Sequence, residues 1–261
     1  MDTLLKPLLL LPWPDWLALA LFFGGWVGYA RWAKQRADRT PSILATTNQW
    51  RRRWMLQATF RENRIVDSAV AQSLSASPSF FASTSILIIG GLLAALGATD
   101  KASGLVQEIP FAARTSALVF DLKLVLLTAI FVHAFFRFTW SLRQYSFGAI
   151  MVGAAPESKQ FMAAEDQRAA WADPAGRVMG LAAETFNDGL RTYYMSFAAM
   201  AWFFSAWAFM AATAAVLVVL YRREFHSEVL AALREGLAPM PPAQAPSPDS
   251  PGSPPLPPST G

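Results

Sequence analysis

The sequence predicts an all-α fold, an integral membrane bundle of four transmembrane helices with helical extensions on the cytoplasmic side. Three observations predict it. Of 261 residues, 54% are hydrophobic and 15% charged, with a mean hydropathy of +0.29, whereas soluble domains carry roughly 25% charged residues. Apolar stretches of about 20 residues, the length that crosses a hydrocarbon core, recur along the chain. Lys and Arg gather in alternate connections: nine in 31–64, two in 99–117, five in 143–191 and three after 220. This alternation predicts a multi-pass protein of a cell (inner) membrane, with the first and third connections cytoplasmic and both termini outside. Arg222 and Arg223, directly after the last span, run against that placement of the C-terminus.

After an N-terminal lead (1–15), the first span covers 16–33. Only Lys6 precedes it whereas Arg31, Lys34, Arg36 and Arg39 follow, the reverse of a cleaved signal peptide. Gly24 and Gly28 form a G-x-x-x-G pair suited to close helix approach. The second span, 79–98, starts after Pro78. It repeats small-x-x-x-small spacing at Gly90 with Ala94 and Gly91 with Ala95. The third, 118–140, carries Asp121, Lys123, His133 and Arg137, which are costly in hydrocarbon and therefore point to an interior or a wet cavity. The fourth, 195–220, is free of charge and bounded by Tyr193, Tyr194 and Tyr221, as an interfacial belt would be. The transmembrane domain thus occupies 16–223. A short helix is expected at 224–238, then a disordered tail, 239–261, with ten prolines.

The connections are read as helical too. Residues 47–74 read as one long helix, with Leu56, Phe60, Asn63, Asp67, Val70 and Leu74 on a single face. A buried Asp67 requires a partner, for which Arg64, Arg137 and Arg191 are the candidates. A polar helix, 157–172, should end at Asp173 and Pro174, and another should run from 175 into the fourth span. On the latter, Asn187, Arg191 and Tyr194 line one side, with Glu184 close by. On the third span, Lys123, His133, Arg137 and Gln144 fall within a sector of about 100°. The candidate site is therefore a polar cluster of Asn63, Arg64, Asp67, His133, Arg137, Gln144, Asn187 and Arg191, converging from three helices at the cytoplasmic side. It is either the mouth of a pathway or a structural lock. Asp121 and Lys123 form a charged pair near the outer side. Arg51, Arg52 and Arg53, between Trp50 and Trp54, suit an anionic lipid surface.

The segments 61–91, 118–147 and 187–207 carry an Asn-Arg-x-x-Asp run at Asn63, Arg64 and Asp67. They also carry a Trp-Ser-x-Arg-Gln-Tyr run at Trp140–Tyr145 and an Asn-x-Gly-x-Arg-x-Tyr-Tyr run at Asn187–Tyr194. In these runs the chain resembles the family named for domain of unknown function 599, multi-pass membrane proteins of bacteria and plants. The likeness extends over about 16–223 and leaves out the tail. It implies a four-helix membrane domain and supplies no activity. Where members of the family often carry Asn, this chain has Ser146.

Several chemistries are excluded or disfavoured. With no cysteine and two histidines, thiolate chemistry is absent and a multi-His metal site is not expected. There is no P-loop, G-x-S-x-G or dinucleotide fingerprint, so neither an enzyme nor a cofactor is expected. The net charge of +4 is distributed for a lipid bilayer rather than nucleic acid. The leading expectation is a small, homo-oligomeric channel or transporter whose cationic stripe lines a path for a small ion or solute. The alternative is a structural or interaction subunit of a membrane assembly.

Overall fold

The computed structural model describes residues 11–37, 40–108, 116–164 and 166–237. The lead 1–10 and the Pro-rich tail 239–261 lie outside the described residues. Regular structure among the described residues is helical throughout: α1 (Trp13–Ala37), α2 (Ile43–Ala58), α3 (Ile65–Gly97), α4 (Thr99–Gln107), α5 (Ala117–Gly153), α6 (Ser158–Ala163), α7 (Gln167–Met200), a 3-10 turn (Ala201–Phe203), α8 (Ala206–Phe225) and α9 (Glu228–Glu235). Local chemistry sets many of these ends. Ser42, Ser205 and Ser227 are N-caps that accept from the amides of Ala45, Ala208 and Leu230. Asp15 in the first turn of α1 and Lys34 and Arg36 in its last complement the helix dipole.

Side-chain contacts fix the course of the bundle. Helices α1 and α8 run parallel: Trp13 meets Trp207 at one end (6.5 Å) and Trp32 meets Phe225 at the other (5.6 Å). Helix α7 opposes both, because Glu184 reaches Lys34 while Trp202, just past its end, reaches Asp15. The bundle thus has a Trp202 end and an Asp188 end. Helix α5, about 55 Å long at 1.5 Å per residue, is the core helix, packed between α3 and α7. Phe81, Phe138 and Tyr193 interlock there with ring centroids 5.3–5.4 Å apart.

Three helical segments are long and apolar enough to cross a membrane: Ile65–Gly97, Ala117–Gly153, and Ala206–Glu235, which takes in α8 and α9. Their outward faces expose large apolar side chains, Leu87 at 76% among them, the reverse of a helix surface adapted to water. Helix α1 is long enough at 25 residues, but Trp, Gly and Asp15 dilute its apolarity.

The expected boundaries shift in four places. The run 195–220 is not one span: it breaks at 201–205, and α8 returns alongside α7. Ser205 adopts an extended backbone and caps α8, and a charge-free run cannot by itself distinguish a through-helix from a helical hairpin. As a result, Trp13 and the end of α8 lie at opposite ends of the bundle, contrary to the expectation that both termini share one side. The single helix expected at 47–74 breaks at 59–64, where the Arg64 side chain donates to the Ala58 carbonyl (3.2 Å) and Asn63 accepts from the Ile65 amide (2.9 Å). Finally, α3 runs through Pro78 and α7 through Pro174.

Gly24, Gly28, Gly90 and Gly91 face no neighbouring atoms within 4 Å. The close approach is made elsewhere, by Gly176 and Gly180 of α7, where an added Cβ would stand 2.9 Å from the Arg52 Cα and 3.0 Å from the Asn48 side chain. These two positions seat α2 against α7.

Candidate functional site

At Gly189 of α7 an added Cβ would lie 2.5 Å from the Phe138 ring, so the missing side chain lets α5 and α7 close up. That approach sets Arg137 of α5 beside Asp188 of α7 in an ion pair. Arg191, one turn further on, reaches the other oxygen of the same carboxylate at 3.3 Å and lies over the Tyr29 ring. Lys34, in the last turn of α1, pairs with Glu184 at 2.9 Å. Near the end of α8, Glu224 accepts from the Leu44 amide at the start of α2 (3.2 Å).

These groups border one cavity of about 370 Å³ with walls from α1, α2, α5, α7 and α8, within the size range of small-molecule sites. A recess of about 110 Å³, which includes Asn187, Tyr194 and Arg223, shares Arg191 and Glu224 with it. Four cations (Arg31, Lys34, Arg137, Arg191) line the main cavity against three carboxylates (Glu184, Asp188, Glu224). The Arg137 Nε is buried without a hydrogen-bond partner. Among the described residues no group of His, Asp and Glu side chains could hold a metal ion.

The polar residues expected to converge in one cluster divide into separate groups. Arg137, Asn187 and Arg191 border the cavity or its recess. Asp67 is fully buried elsewhere, held by the Trp54 indole (2.7 Å) and by Arg61; its partner is none of the three arginines expected. Arg64 ties α2 to the segment after α5 through the carbonyls of Ala58, Ala155 and Pro156, and Asn63 accepts locally from the Ile65 amide in the turn before α3. His133 is exposed, edge-on to Trp26. Gln144 keeps a buried Oε1 without a partner, away from the cavity.

Asp121 and Lys123 do not pair with each other. Asp121 accepts from the Thr99 hydroxyl (2.6 Å), and Lys123 donates to the Trp202 carbonyl (2.8 Å) while lying over the Trp202 and Phe203 rings. In the basic run, Arg51 bonds Thr47 and Asn48, and burial lowers its pKa against the opposing pull of Tyr145. The Arg52 backbone packs on Gly176. Arg53 donates to the Leu237 carbonyl (2.6 Å) and Trp50 to that of Leu233 (3.0 Å), holding the end of α9.

Sequence reasoning missed Asp188, Lys34 and Glu224 as site residues. A signal for Asp188 existed, since it precedes Arg191 by three residues, the spacing of a same-face ion pair. Lys34 and Glu224 are ordinary helix-end charges until α1, α2 and α8 are brought together.

No curated protein and no solved structure matches the chain. The family model described as a protein of unknown function, DUF599, matches residues 17–229, from the first turns of α1 to the start of α9, and the chain belongs to that family.

Proposed function

We propose that the protein is a multi-pass cell membrane protein that handles a small charged solute, as a transporter or channel, at the cavity around Asp188. The single observation that carries this reading is the cavity itself. Five helices contribute to it, and a shared carboxylate holds arginines from two of them beside open space. Charge at the edge of an apolar bundle is costly to keep, and groups so placed commonly serve a substrate or ion. The Asp188 end, where the basic connections gather, faces the cytoplasm in this reading, with Trp13 outside and α9 inside. The continuous cationic path expected from the sequence has less support, because Lys123 is sealed into the Trp202 end while Arg137 borders the cavity at the Asp188 end. Solute handling then depends on rearrangement around one site rather than on a standing pore.

Reconstitution into liposomes tests the proposal. Uptake or conductance of small ions is expected in wild type and should be lost in Asp188→Ala protein that still inserts and folds. No flux at any pH from 5 to 8, a range that spans histidine titration, would refute it. The structural-subunit reading draws on a different observation, the clasp of Trp50 and Arg53 on α9, which holds the start of the tail at the Asp188 end. It predicts that Arg53→Ala weakens capture of a partner in crosslinked membranes without altering flux.

A further inference from the structure

The cavity's lining carries one more cation than carboxylate. Each of its three carboxylates already holds a donor: Glu184 that of Lys34, Asp188 those of Arg137 and Arg191, and Glu224 the Leu44 amide at the positive end of α2. Donors are left over. The Arg137 Nε is buried without an acceptor. Arg31, on the rim, has no ion-pair partner among the described residues. Asn48 has its oxygen taken by Arg51 (2.9 Å), which leaves its amide nitrogen to donate. A ligand that completes this set must bring acceptors and negative charge, and guanidinium groups bind tetrahedral or planar oxyanions with charge-assisted, often bidentate, hydrogen bonds.

We infer that the cavity is an oxyanion site, taking a phosphate group carried either by a soluble anion or by an anionic lipid headgroup at the same depth. This rests on the solute-site reading above and names the class of its occupant. Asp188 then acts as an internal stand-in: its carboxylate holds Arg137 and Arg191 in place of the ligand and competes with it. That competition gives the inference a signature that a purely structural ion pair lacks. Removing the Asp188 charge should tighten anion binding even as it loosens the bundle.

The test uses the full chain in phosphatidylcholine nanodiscs at constant ionic strength, titrated with inorganic phosphate and followed by thermal shift and calorimetry. A parallel set of discs contains phosphatidic acid. Wild type is expected to bind phosphate saturably. Asp188→Asn should bind it about threefold more tightly, and Arg31→Gln, which breaks no internal pair, about fivefold more weakly. Stabilisation by free phosphate identifies a soluble anion as the source, and stabilisation only in discs with phosphatidic acid identifies a headgroup. No response to either beyond a chloride control, or weaker binding in Asp188→Asn protein that remains folded, would overturn the assignment. If free arginine or spermidine stabilised the protein while phosphate did not, the oxyanion assignment would fall and the solute site would stand.

Discussion

Lys123 and Arg137 stand on one stripe of α5, yet the two ends of the bundle use them in opposite ways. At the Trp202 end, Lys123 is 4% exposed, its ammonium on a main-chain carbonyl and two aromatic rings. The Trp202 indole is held in turn by Asp15 at 2.6 Å. One hydrogen-bonded chain thus joins α1, α5 and the turn between α7 and α8. At the Asp188 end, the Arg137 side chain is 38% exposed, shares its carboxylate with Arg191, and borders a cavity. The lesson is that a charge in an apolar helix does not by itself mark a working site. A charge saturated from within is a lock; a charge with donors to spare beside open space can take a ligand.

Substitutions at the two ends should separate these roles. Lys123→Ala should have the largest effect, costing about 3 kcal/mol from a lost charge-assisted hydrogen bond and the void left behind. Chemical or thermal unfolding in detergent would measure it, and unchanged stability would mean that the lock is no lock. Trp202→Phe keeps the ring but removes the donor to Asp15, for an expected loss of about 1.5 kcal/mol by the same measurement. Asp188→Asn should cost about 1 kcal/mol, since its pairs are partly solvated, and is set apart by its gain in phosphate affinity. Arg31→Gln should change stability by less than about 0.5 kcal/mol, so that any loss it shows in binding belongs to the cavity.

Much of the fold was legible in the sequence because apolar length and helical spacing report on single elements. The helical class, the apolar span at 118–140 and the cost of charges on it follow from that reading, while the central place of α5 in the bundle does not. The hairpin at 201–205 was not legible, because Ser205 caps α8 through a local bond that one serine in an apolar run does not announce, and Trp202 is held by partners far away in sequence, Asp15 and Lys123. For the same reason Asp67 was rightly read as a buried carboxylate in need of a cation, while its actual cation, Arg61, was not named: the break at 59–64 brings Arg61 to it. At the candidate site, Arg137 and Arg191 were visible as costly charges. The spacing of three signals that Asp188 can pair with Arg191, but that it also holds Arg137 emerges only once Gly189 lets the two helices meet, and Lys34, Glu224 and Arg31 enter from helices that no periodicity relates.

The chain has no cysteine, so single cysteines can compare the two ends directly. Ala45→Cys places a thiol on the cavity wall at the Asp188 end, and Val119→Cys places one at the buried Trp202 end. In the reconstituted protein, the Ala45→Cys thiol should react with a charged, membrane-impermeant reagent roughly tenfold faster than the Val119→Cys thiol, and phosphate should slow only the former. Equal rates, or equal protection by phosphate, would contradict the account of one sealed end and one open, ligand-taking end.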